Sequence, residues 1–116
     1  MRRVPLKIVP FAGPAGQPLP DLHYSEALVV IAKQPTGGLA SDEIDTALQI
    51  SEAIENAVDA ARDAVLLEEP AWQWLCDRVK ANRWPFASPT FKTLIGDVVG
   101  ADKIDLNKLP ELRAAE

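Results

Sequence analysis

The stretch "SDEIDTALQISEAIENAVDAARDA", Ser41 to Ala64, constrains the fold more than any other part of the chain. Apolar residues recur there every three or four positions, the period of a helix with one buried face. Ile44, Ala47, Leu48, Ser51, Ile54 and Val58 are predicted to form that face. Asp45, Glu52 and Asp59 fall seven apart and mark an acidic stripe toward solvent. Ser41 is placed to cap the start, and Asp42 and Glu43 sit in the first turn, where the helix dipole favours anions. The pattern predicts a helix over about 42–61. Its apolar face has to be covered by the rest of the chain.

Shorter elements are available to cover it. "RRVPLKIV" (Arg2 to Val9) alternates, with Val4, Leu6 and Ile8 on one face and Arg3, Pro5 and Lys7 on the other, which predicts a half-buried strand. Pro5 has no N–H for a ladder, so this strand is expected at a sheet edge or paired on one side only. "PFAGPAGQPLPDLH" holds four prolines and two glycines and is expected to be a loop or the tip of an irregular hairpin. "YSEALVVIAKQ" spaces Tyr24, Ala27, Leu28 and Ile31 as a short helix, which "QPTGG" ends. "AVLLE" (Ala64 to Glu68) is a second strand, expected to pair with the first. "EPAWQWLCDRVKANR" follows as a helix with Pro70 near its first turn. After the break "WPFASP", a last helix is expected, with Ser88 as N-cap, Pro89 at its first position and Phe91, Leu94, Ile95 and Val98 as its stripe. Gly100 closes it. Residues 101–116 show no clean period and are expected to form an extended or partly disordered tail, with Ile104, Leu106 and Leu109 available for docking. The expectation is one α+β domain over residues 1–100, mainly helical, with three to four helices and a small two-stranded antiparallel sheet.

Bulk properties exclude several classes. A chain of 116 residues can bury a core without a metal or a disulfide, and its single cysteine, Cys76, fits a reducing cytosol. The N-terminal "VPLKIVPF" is too short and proline-rich for a signal peptide, and no run approaches the ~20 apolar residues of a membrane span. The net charge of −5 argues against general nucleic-acid binding. The charge is also uneven: Asp42 to Asp63 holds seven acids and one base, whereas Arg78, Lys80, Arg83 and Lys92 form a basic run without an acid.

Candidate sites centre on residues 68–92. Trp72, Leu75, Cys76 and Val79 share one helix side and are expected in the core, which makes Cys76 an inert thiol. Trp74 points roughly 150° from that stripe, so it is either covered by another segment, such as the C-terminal tail, or exposed. Exposed, it would be the best interface anchor in the chain, with Arg78 one turn on to stack over it. Trp84 and Phe86 flank Pro85 and are expected to plug the helix junction. His23 is the only histidine, and its spacing from Cys76 matches no metal-ligand pattern. A Cys76–His23 nucleophile pair conflicts with the core position of the thiol. "PTGGLAS" lacks the lysine and spacing of a P-loop and reads as a turn and cap. The chain therefore offers no catalytic, cofactor-binding or metal-ligating residue.

The order "VPLKIV", "YSEALVVIA", Pro35 with Gly37 and Gly38, the long acidic helix, "AVLLEEPAWQWLCDRV", "RWPF" and "FKTLIGDVV" resembles that of small uncharacterised proteins of tailed bacteriophages and prophages, over residues 2–100. The resemblance implies no catalytic residue. It implies an accessory or particle-assembly protein that contacts other proteins, in the cytoplasm of a bacterial host or within a phage particle.

The expected function is a non-enzymatic protein–protein interaction module in particle assembly or structure. Its partner would be a second copy or another phage protein, contacted through Trp74, Arg78, Arg83, Lys92, Leu106 and Leu109. The alternative is a small regulator or inhibitor that binds a host protein or nucleic acid through the Arg78–Lys92 basic cluster.

Overall fold

A computed structural model gives the fold and describes residues 1–104. Leu106 and Leu109 lie outside the described residues. The elements run β1 (Arg2–Pro5), β2 (Ile8–Ala12), β3 (Pro18–His23), α1 (Tyr24–Lys33), α2 (Glu43–Asp59), β4 (Ala64–Leu67), α3 (Glu69–Ala81), α4 (Pro89–Val99) and β5 (Asp102–Lys103). The α+β class with four helices is as expected, and about half of the described residues are helical. The sheet content exceeds the two strands expected. One antiparallel sheet has the order β4-β1-β5, and β2 and β3 form a separate antiparallel pair.

β1 is a central strand, not an edge. Val4 pairs with Val65 on one side, while Arg2 and Arg3 pair with Lys103 and Asp102 on the other. Pro5 is tolerated because β5 stops short of it, so Pro5 faces only Ala64. The single strand expected over Arg2 to Val9 is in fact two. The ladder continues to Leu6, whose N–H donates to the Asp63 carbonyl at 2.8 Å, and the chain then leaves the sheet. Alternation survives a two-residue break, so periodicity reports faces but not partners. Ile8 accordingly lies 61% exposed in the second sheet rather than beside Val4. The 10–23 segment, expected as a loop or hairpin tip, holds the end of β2 and all of β3, so only residues 13–17 form the tip; the register shifts between Val9 and Phe11, at Pro10, which has no N–H to give.

One core joins all layers: Val4, Val65 and Leu67 from the sheet, and Tyr24, Leu28, Ile50, Ile54, Leu75, Val79, Leu94 and Val98 from the helices. The buried face of α2 is rotated from the one expected. Ala47, Ile50, Ser51, Ile54 and Ala57 are buried, whereas Ile44, Leu48 and Val58 are exposed. Small residues on the buried side let α1 pack closely along it, and Ser51 is accommodated by donating to the Ala47 carbonyl at 2.8 Å. The acidic stripe Asp45, Glu52 and Asp59 is exposed as expected. Ser41 is not the cap. Asp42 already has helical dihedrals, and Glu43 Oε1 instead accepts from the Ala40 N–H at 3.0 Å.

Two polar clusters fasten the layers. Arg2 Nε and Nη2 donate to the two Glu69 carboxylate oxygens, both at 2.9 Å, and Nη1 donates to the Ala101 carbonyl. The guanidinium lies 4.1 Å over the Trp72 ring, and its hydrogen bonds hold the Glu69 carboxyl below its ordinary range. Residue 101 is thus core and 102–103 are sheet, so this part of the expected tail belongs to the fold. In the second cluster, the buried Tyr24 hydroxyl donates to Asp97 Oδ2 at 2.8 Å, and Lys7 Nζ approaches the same oxygen at 3.2 Å. Burial, then the Asp97 bond, pushes the Tyr24 phenol well up.

Candidate functional site

The residues after α3 build the most distinctive surface. Pro85 cannot continue a helix, so residues 82–88 run as a linker and place Trp84 and Phe86 beside the start of α4. Ser88 Oγ caps α4 by accepting from the Thr90 N–H at 3.3 Å. The β2 strand is tied to the same place, since Thr90 Oγ1 donates to the Pro10 carbonyl and Ser88 Oγ to that of Ala12. Phe11 is thereby brought onto the linker aromatics. Its ring stacks on Phe86 at 5.7 Å and meets Phe91 edge-on at 5.2 Å; Trp84 lies 4.6 Å from Phe91, and Phe86 5.3 Å from it. All four separations fall in the favourable range for aromatic pairs.

This cluster is not closed over. Phe91 is buried at its base, but Trp84, Phe86 and Ile95 remain partly exposed around an open groove of about 650 Å³. Ala87, Ser88 and Pro89 complete the lining, and Lys92 is its only charged residue among the described residues. The expected plug of the helix junction is thus half right: Trp84 packs against the core, and the same rings also form a surface. A second, smaller hollow of about 270 Å³ lies between α2 and β4, lined by four alanines with Val65, Leu66, Asn56 and Arg62. It offers neither aromatic anchors nor converging titratable groups.

The other expected site residues lie apart from the groove lining. Trp74 is half-buried against the core, and its Nε1 donates to Glu43 Oε2 at 2.8 Å, so the first turn of α2 covers it. Arg78 does reach the Trp74 ring, at 5.9 Å, near the outer limit for a cation–π contact. Its Nε is buried without a hydrogen-bond partner among the described residues. The Ala40 N–H, then the Trp74 N–H, holds the Glu43 carboxyl below its usual range. Trp74 therefore fastens α3 to α2, with Arg78 of the same helix set against its ring, rather than standing free as an anchor. Arg83 is exposed beside Trp84, and its backbone N–H donates to Thr36 Oγ1 at 3.1 Å. Phe11 was not singled out in the sequence, because only the β2–α4 contacts reveal its role.

Catalytic groups do not converge anywhere described. Cys76 is buried, its thiol donates toward the Val98 carbonyl at 3.9 Å, and burial pushes its pKa up, away from the reactive thiolate. His23 ends β3 in the other sheet. Among the described residues, no three His, Cys, Asp or Glu side chains are grouped to hold a metal ion, and no helix is long and apolar enough to cross a membrane. No family model, curated protein or solved structure matches the chain.

Proposed function

We propose that the chain is a non-enzymatic binding module whose groove, formed by Trp84, Phe86, Phe91 and Ile95, receives an apolar protein segment. The observation that carries this reading is the open aromatic cluster. Trp84, Phe86 and Ile95 leave contiguous apolar surface open to solvent, around a shallow cleft of about 650 Å³. Tryptophan, here Trp84, is among the side chains most enriched at interface hot spots. Lys92 at the rim favours a segment that carries an acid. The resemblance to small phage proteins suggests a setting for this role, particle assembly or structure in a bacterial host.

Replacing Ala87, exposed in the groove, by a photoactivatable phenylalanine analogue tests the reading in cells that make the protein. Protein crosslinks from position 87 that Lys92→Glu reduces are expected. The reading falls if position 87 gives none while the same probe at Asp59, on the acidic stripe, does. The nucleic-acid alternative is less favoured because Arg78 already leans on Trp74 beside Glu43. Salt-sensitive retention on single-stranded DNA, lost in Lys80→Glu and Arg83→Glu, would restore it.

A further inference from the structure

The groove calls for an occupant apolar at its centre and acidic at its margin, and the chain itself carries one. On α2, Ile44, Leu48 and Glu52 follow at intervals of four and so form one ridge along the helix, spanning about 12 Å. Ile44 is 47% exposed and Leu48 52% exposed, two aliphatic side chains facing water in adjacent turns. Asp45 and Glu52, both exposed, stand beside them. The charges match as well. α2 lies in the acidic half of a chain of net charge −5, and among the described residues the only charged side chain lining the groove is the cation Lys92. A helix that lays i and i+4 aliphatic residues into an apolar groove is a recurring mode of recognition.

We propose that the Ile44–Leu48–Glu52 ridge of one copy seats in the aromatic groove of a second copy, with Asp45 and Glu52 facing Lys92. This rests on the binding reading of the groove and names its occupant. Ridge and groove involve different residues, so the contact is heterologous, and repeated copies build a ring or an open filament. An open assembly then keeps one free ridge at one end and one free groove at the other.

Sedimentation velocity of the full chain over rising concentration tests this, with Leu48→Asp and Lys92→Glu as variants. Both positions are exposed, and circular dichroism with a thermal melt verifies that each variant folds. The wild-type sedimentation coefficient is expected to rise with concentration. Each variant alone is expected to bind itself about tenfold more weakly or worse. Mixing the two supplies one intact groove, from Leu48→Asp, and one intact ridge, from Lys92→Glu, and is expected to yield a capped 1:1 complex. Placing Glu52→Lys and Lys92→Glu in the same chain is expected to recover part of the association. A wild-type chain that stays monomeric, or a Leu48→Asp variant that associates like wild type, overturns the proposal. If the wild type is monomeric but position 87 crosslinks to a different protein, self-association fails while the groove reading stands. If the wild type is monomeric and position 87 crosslinks to nothing while the probe at Asp59 does, both fail.

Discussion

Helix α2 ends in a motif that ordinarily employs glycine, yet alanine occupies the position. The Arg62 N–H donates to the Ala57 carbonyl and the Ala61 N–H to that of Val58, both at 2.9 Å, and Ala61 has φ +56°. This is the six-to-one and five-to-two pattern of a helix closed by a left-handed residue. A Cβ in that conformation costs about 1–2 kcal/mol. Glycine removes this cost but gives back about 0.5–1 kcal/mol, because the unfolded chain gains freedom. Ala61→Gly is therefore expected to stabilise the protein by about 0.5–1 kcal/mol. In a domain of this size that raises the thermal midpoint by about 2–4 °C. Ala60→Gly is the matched control. Ala60 has φ −84°, so no strain is relieved, and a loss of about 0.5–1 kcal/mol is expected. Urea titrations of the three chains, compared at equal slope, give the difference. Two variants shifting in the same direction, or a lower midpoint for Ala61→Gly, would refute the strain assigned to this residue.

Further outcomes follow from other positions. Phe91→Ala removes the ring on which Trp84, Phe86 and Phe11 converge and is expected to cost about 3–5 kcal/mol by chemical denaturation, with a loss of near-ultraviolet dichroism. Glu69 has a folded pKa below its unfolded value, so its contribution is complete above the ordinary carboxylate range and is lost as pH falls through the lower folded value. Thermal midpoints of the wild type are thus expected to fall in that acid window, and those of Glu69→Gln to fall less. Native Cys76 is expected to react with iodoacetamide far more slowly than the urea-unfolded chain; equal rates would contradict its burial.

Local rules made α3 and α4 legible. Leu75, Cys76 and Val79 share a face by spacing alone, and Ser88 followed by Pro89 announces a helix start. Those rules fail where a choice depends on distant residues. The apolar positions of α2 spread over a wide arc, and which part of it is buried depends on how α1 and β4 pack against the helix. Spacing placed Trp74 off the stripe, but its partner Glu43 lies 31 residues away in another helix. The candidate groove was half visible, as "RWPF". Its other walls are Phe91, Lys92 and Ile95 of α4, and Phe11 backs Phe86 and Phe91 only because the 8–12 strand is bonded to the start of α4.

The middle position of β1 has a consequence for how the protein is made. Its two neighbours are synthesised roughly sixty and a hundred residues after it. On the ribosome, a short strand with both edges open and Val4 unburied must wait for Val65, and then for Asp102, to emerge. Pro5 and the charged Arg2 and Arg3 are residues that discourage pairing with a foreign strand in that interval. Pro5, tolerated in the finished sheet because β5 stops short of it, thus has a use while β1 is still unpaired.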